Sequence, residues 1–131
     1  MDEWSGRLVP LKEIDMPQPN QEKLDAFLGK MVGDLGAIAT GAGVLLGDRL
    51  GLFTAMRDGG KMTAAEIAAR TGTQERLVRE WLSGQAAAGY IEYEEATDRF
   101  YLNREQELVF ADEESPAFMA GAFEVLSALA R

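Results

Sequence analysis

Between Lys61 and Asn103 six local signals agree on a single chain path. Thr63-Ala64-Ala65-Glu66 is a capping-box pattern, in which the Thr hydroxyl and the Glu carboxylate each satisfy a backbone N–H at a helix start. Ile67 and Ala68 carry that helix to Arg70. Thr71-Gly72-Thr73 makes a tight turn, with Gly72 placed to take the left-handed conformation that closes a helix. Thr73 is then the expected N-cap of a helix from Gln74 to Ala88, with Leu77, Val78, Trp81 and Leu82 toward the core. Gly89 ends it. Tyr90-Ile91-Glu92-Tyr93-Glu94 alternates as a strand does, and Phe100-Tyr101-Leu102 repeats the alternation after an Ala96–Arg99 turn. Helix, tight turn, helix and β-hairpin in this order define a winged helix-turn-helix.

The flanking segments predict a mainly α fold with this hairpin as its small β part. Two helices precede it and a truncated C-terminal helix follows. Residues 1–20 hold Pro10, Pro17 and Pro19 without periodicity and read as an extended arm, either a tail or a contact with a neighbouring subunit. Residues 21–131 form one domain. Its first helix runs from Gln21 to Val32 behind Asn20 as N-cap, with Leu24, Phe27, Leu28 and Met31 on one face. A second is expected from Asp34 to Met56 despite five internal glycines, each costing up to about 1 kcal/mol against Ala. Ala39, Gly43, Gly47 and Gly51 recur every fourth residue, a small-residue strip that lets another helix come close. That strip is a candidate dimer interface, or else a packing surface within the chain. After a short helix from Arg104 to Ala111, Ser115-Pro116 is an N-cap followed by Pro at the first helical position. The helix expected there carries Phe118, Met119 and Phe123 and is still running at Arg131, as in a chain that has been cut.

Several chemistries are excluded by what is missing. There is no histidine and no cysteine, so near-neutral imidazole chemistry, thiolates, disulfides and a zinc site fall away. No apolar run reaches the roughly 20 residues of a membrane span, and no basic-then-apolar leader opens the chain. A cytoplasmic location is expected. Reading of DNA by a winged helix requires basic side chains on its second helix and wing. Here Lys61–Asn103 holds five basic residues against seven acidic, a net of −2, within a chain of net charge −9. Phosphate repulsion on that scale opposes nucleic-acid binding. What remains for this fold is subunit pairing, covering a ligand pocket, or contact with another protein.

The residues Gly47-Asp48-Arg49-Leu50-Gly51-Leu52-Phe53, Thr63–Gly72, Val78-Arg79-Glu80-Trp81-Leu82, Gln85–Tyr90, Phe100-Tyr101-Leu102 and Ala111–Ala117 carry a resemblance. In that order they resemble the N-terminal region of bacterial class I S-adenosylmethionine-dependent methyltransferases of the winged-helix type, over residues 24–123. The resemblance implies a non-catalytic domain that pairs subunits into a homodimer and covers the pocket of a small-molecule substrate. Phe118, Met119 and Phe123 are the candidate pocket lining. S-adenosylmethionine and the chemistry would belong to a Rossmann-like domain absent from this chain, so no catalytic, cofactor-binding or metal residue is assigned. Gly41-Ala42-Gly43 only superficially matches a dinucleotide loop, because it lies in a helical run and not after a strand. The alternatives are a DNA-binding transcriptional regulator and a protein-interaction module.

Overall fold

The computed structural model of the chain describes residues 17–58 and 60–129. Most of the N-terminal arm therefore lies outside the described residues, as do Ala130 and Arg131. The chain divides into two compact units, residues 1–33 and 34–131.

The first expected helix and most of the second belong to one element, α1 (Gln21–Arg49). Asn20 caps it, its side chain accepting from the backbone N–H of Lys23 at 3.0 Å. The break comes at Gly51, where φ is +70°, and α2 (Leu52–Met56) follows. Gly33 does not break the helix, because glycine permits a turn without imposing one. In the first unit the helix leaves Leu24, Phe27, Leu28, Met31 and Val32 exposed.

The second unit holds the core. Capping of α3 (Ala64–Thr71) is reciprocal, with Thr63 accepting from the Glu66 N–H and Glu66 from the Thr63 N–H, and Gly72 ends the helix at φ 65°. For α4 (Glu75–Ala87) the N-cap is Gln74, without a side-chain bond. Thr73, expected to cap it, instead has its hydroxyl 2.7 Å from that of Thr71. Gly89 turns the chain at φ 79° into β1 (Glu92–Glu94) and β2 (Arg99–Tyr101), paired antiparallel with Tyr93 opposite Phe100. Met62 adds a bridge to Phe100 on the other edge of β2, a pairing without a local cue in the sequence. Next, α5 (Arg104–Phe110) is capped by a second reciprocal box between Asn103 and Gln106.

The C-terminal helix begins later than Ser115-Pro116 predicts. Ser115 Oγ accepts from the Ala117 N–H within a turn, and the Met119 N–H donates to Val109 O at 2.9 Å. A backbone donor spent on α5 cannot start a helix, so a 3₁₀ turn forms only from Ala120, and α6 (Val125–Leu129) follows.

Packing centres on Trp81. Its ring meets Phe53 edge-on at 5.0 Å, and Phe53 stacks on Phe110 at 4.7 Å. The indole N–H donates to Gly43 O at 2.8 Å. A Cβ at Gly47 would come within 2.3 Å of Trp81 Cζ2, and one at Gly43 within 2.4 Å of Gln85 Nε2. These two glycines therefore let α4 close on the inner face of α1. Val78 and Leu82 are buried as expected, whereas Leu77 is 59% exposed. One residue of phase separates it from Val78, enough to turn it out of the core.

Gly47→Ala should cost about 1–3 kcal/mol, because rigid rings leave the new methyl no room. Gly36→Ala should instead stabilise by up to about 1 kcal/mol, since nothing lies within 4 Å of its added Cβ. Thermal melts of the two variants check this pair of opposite signs.

Candidate functional site

Two surfaces of the second unit bear on function: the face formed by α4 and the hairpin, and the apolar clefts beside α1.

On the first, each basic side chain already has an internal partner. Arg79 grips Asp98 with two bonds, Nη1 to Oδ1 at 3.1 Å and Nη2 to Oδ2 at 3.1 Å. Arg76 pairs with Glu80 at 3.8 Å and Arg99 with Glu66 at 4.0 Å. Lys61 bonds Glu94, which also accepts from the Thr97 hydroxyl. Arg70 donates to Ala55 O at 3.2 Å. Phosphates would have to displace these carboxylates before meeting a free cation, with further acid around them. The wing thus folds its charge inward. Asp98 is held at φ 51°, a conformation tolerated by Asp and Asn better than by most residues. It also accepts from the Tyr93 hydroxyl at 3.0 Å. The Arg79 bond first, then the Tyr93 bond, hold its carboxyl below the usual carboxylate range.

A depressed pKa contributes stability above the ordinary value, and that contribution is lost as pH falls through the depressed one. The Asp98 carboxyl should therefore titrate with a midpoint below the ordinary aspartate range when followed by NMR. Arg79→Ala should move that midpoint upward. An unchanged midpoint in the variant would remove Arg79 as the cause.

The second surface has two apolar hollows. One, about 360 Å³, is lined by Ala37, Ile38 and Gly41 of α1 and by Met119, Phe123 and Leu126. Of the three candidate lining residues, Met119 is 55% exposed, while Phe118 and Phe123 pack partly buried against the core. The cleft therefore gathers Met119 and Phe123 but not Phe118. At the end of α1, Arg49 makes a bidentate pair with Glu124, at 3.1 and 2.8 Å. Beside that pair, burial first and then Glu124 and Glu113 push the Asp48 carboxyl above its usual range. The other hollow, about 580 Å³, lies among Leu46, Leu50, Leu77 and Trp81.

Of the small-residue strip, Gly43 and Gly47 face α4, Ala39 is exposed, and Gly51 lies beyond the end of α1. Gln85, which drew no attention in the sequence, is buried with its Oε1 unpartnered, while its Nε2 donates to Thr40 O at 3.4 Å. An alanine-rich, amphipathic helix gives no cue that one polar residue points inward.

Gly41-Ala42-Gly43 lies in the middle of α1, with an added Cβ at Gly41 only 3.0 Å from Leu126. Its backbone N–H groups are spent in the helix, so these residues do not form a cradle for a nucleotide cofactor. Among the described residues no group of three Asp or Glu is arranged to hold a metal ion.

The family model for the Rv2258c-like winged HTH domain matches residues 37–111. The chain belongs to this family. Domains of the Rv2258c-like type are known as N-terminal domains of methyltransferases. Two solved structures share the fold of this one. The structure titled "PigF with SAH" matches with a TM-score of 0.57 and 19% identity, over 85% of this chain and 33% of its own. The mitomycin 7-O-methyltransferase MmcR matches with a TM-score of 0.65 and 22% identity, over 86% of this chain and 36% of its own. The chain thus spans about a third of the length of these two structures. No curated protein sequence matches it.

Proposed function

We infer that the chain is the non-catalytic front domain of a cytoplasmic S-adenosylmethionine-dependent methyltransferase. In this reading it pairs two subunits and covers the small-molecule substrate pocket of a catalytic domain that carries the cofactor. The observation that carries the reading is the lopsided coverage: nearly all of this winged helix fits within a third of each methyltransferase-related structure. Two features of the chain support it. The cleft edged by Met119 and Phe123 has the apolar lining typical of small-molecule sites, with few polar groups. And Gly41-Ala42-Gly43, the superficial match to a pyrophosphate loop, is locked in a helix. Chemistry would come from elsewhere, and this chain would supply shape.

Calorimetric titration of the chain with S-adenosylmethionine should give no saturable heat. Tight binding would overturn the division of labour. The coding sequence downstream of Arg131 should encode a strand and a glycine-rich turn within about 50 residues, the signature of a dinucleotide-type loop. A stop codon there, with no such element, would contradict the reading.

A further inference from the structure

The second half of α1 and the helix α4 run antiparallel where they meet. Leu46 and Leu50 of α1 lie by Leu77 near the start of α4, while Ala39 and Thr40 lie by Gly84 and Gln85 near its end. Two hollows open along this seam. The larger, about 580 Å³, is walled by Leu46, Leu50 and Leu77, a volume within the usual range of small-molecule sites. The smaller, about 230 Å³, is edged by Thr40, Gly84 and Gln85. Glu80 and Trp81 line both, so the two hollows are ends of one groove. Between Leu77 and Gly84 it is roughly 10 Å long at the helical rise per residue. It shares no residue with the Met119–Phe123 cleft.

The two ends differ in kind. At one, Leu46, Leu50 and Leu77 are 44–59% exposed and offer apolar contact. At the other, the side-chain donors are already used: the Trp81 indole on Gly43 O, Gln85 Nε2 on Thr40 O, and the Thr40 hydroxyl on Gly36 O. Acceptors remain. The Glu80 carboxylate meets Arg76 only at 3.8 Å, beyond hydrogen-bond length, and Gln85 Oε1 is buried without a partner. Gly84 keeps this end open, since a Cβ added there would meet nothing within 4 Å. An anion would find only acceptors here, whereas an ammonium group brings both the charge and the N–H donors that the seam lacks.

We propose that this groove binds a small amphiphilic amine, its apolar body among the leucines and its ammonium on the Glu80 carboxylate. The leucine end provides most of the hold, because an exposed ion pair alone is weak, and Glu80 provides the choice of charge. The site goes beyond the functional reading above and does not depend on it.

Trp81 reports on its own groove. The chain has two tryptophans, so Trp4→Phe leaves Trp81 as the sole one. Titrated with 2-phenylethylamine, its emission should shift saturably, with a dissociation constant below about 1 mM. The alcohol of the same skeleton, 2-phenylethanol, should bind more weakly, and the anion 3-phenylpropanoate should not bind. In the same background Glu80→Gln should weaken the amine roughly 5-fold. Gly84→Met, which fills the acceptor end without changing charge, should weaken it as well. Glu105→Gln, the same charge change on the exposed side of α5, should leave the affinity unaltered. Thermal melts confirm that each variant is folded. No saturable shift up to about 10 mM amine, or equal affinity for the amine and the carboxylate, would overturn the proposal. So would equal weakening by Glu80→Gln and Glu105→Gln, which would trace the binding to diffuse attraction by a chain of net charge −9. None of these results bears on the methyltransferase reading, which calorimetry and the downstream sequence test separately.

Discussion

The fold depends on an indole lying against a stretch of helix that has no side chains in its way. Trp81 reaches the backbone of α1 at Gly43 and passes within van der Waals range of Gly47. This contact closes the helix-turn-helix onto α1, and the rings of Phe53 and Phe110 pack outward from it. Burying an indole without a partner for its N–H carries a desolvation penalty. The Gly43 carbonyl removes that penalty. The two helix-weakening glycines thus exchange about 1 kcal/mol each of helix propensity for a close approach that no larger residue permits.

From that contact the electrostatics of the winged helix take on a particular meaning. Arg79 lies on the solvent side of the same helix that carries Trp81 inward, and a DNA-reading helix would keep such an arginine free. Instead Asp98, held in the left-handed region at the hairpin, takes both of its outer nitrogens. The hairpin is latched to α4, and the charge that would meet phosphate is neutralised locally. Exposed ion pairs of this kind contribute at most about 1 kcal/mol to stability, so their consequence lies more in what the surface can bind than in how firmly it folds. A surface with its cations engaged and its helices apolar is suited to contacts with protein and with uncharged ligands.

Much of this was legible in the sequence wherever a signal is local. The Thr63/Glu66 box, Gly72 and Gly89 act within four residues of themselves, and each does what its pattern predicts. Signals that compete with tertiary contacts misled. Ser115-Pro116 has the form of a helix start, yet the Met119 N–H is drawn to Val109 and the helix waits until Ala120. Thr73 has the form of a cap but bonds Thr71. Gly33 looked like a boundary and is not one, whereas Gly51 looked like part of a helix and ends it. For the candidate site, Met119 and Phe123 meet at one cleft while Phe118 goes toward the core. The burial of Gln85 could not be read at all, because its neighbours Thr40 and Gly43 stand more than 40 residues away.

This winged helix has the shape of a DNA reader without the charge of one, and we propose that it acts as a scaffold. Fluorescence anisotropy of a labelled random duplex, titrated with the chain at 50 mM salt, addresses it most directly. Winged helices that engage phosphates bind non-specific DNA with dissociation constants of about 10⁻⁴–10⁻⁶ M and lose affinity steeply with salt. No saturable rise in anisotropy is expected across that concentration range. Saturable binding in that range, weakening with added salt and abolished in Arg79→Ala, would contradict it.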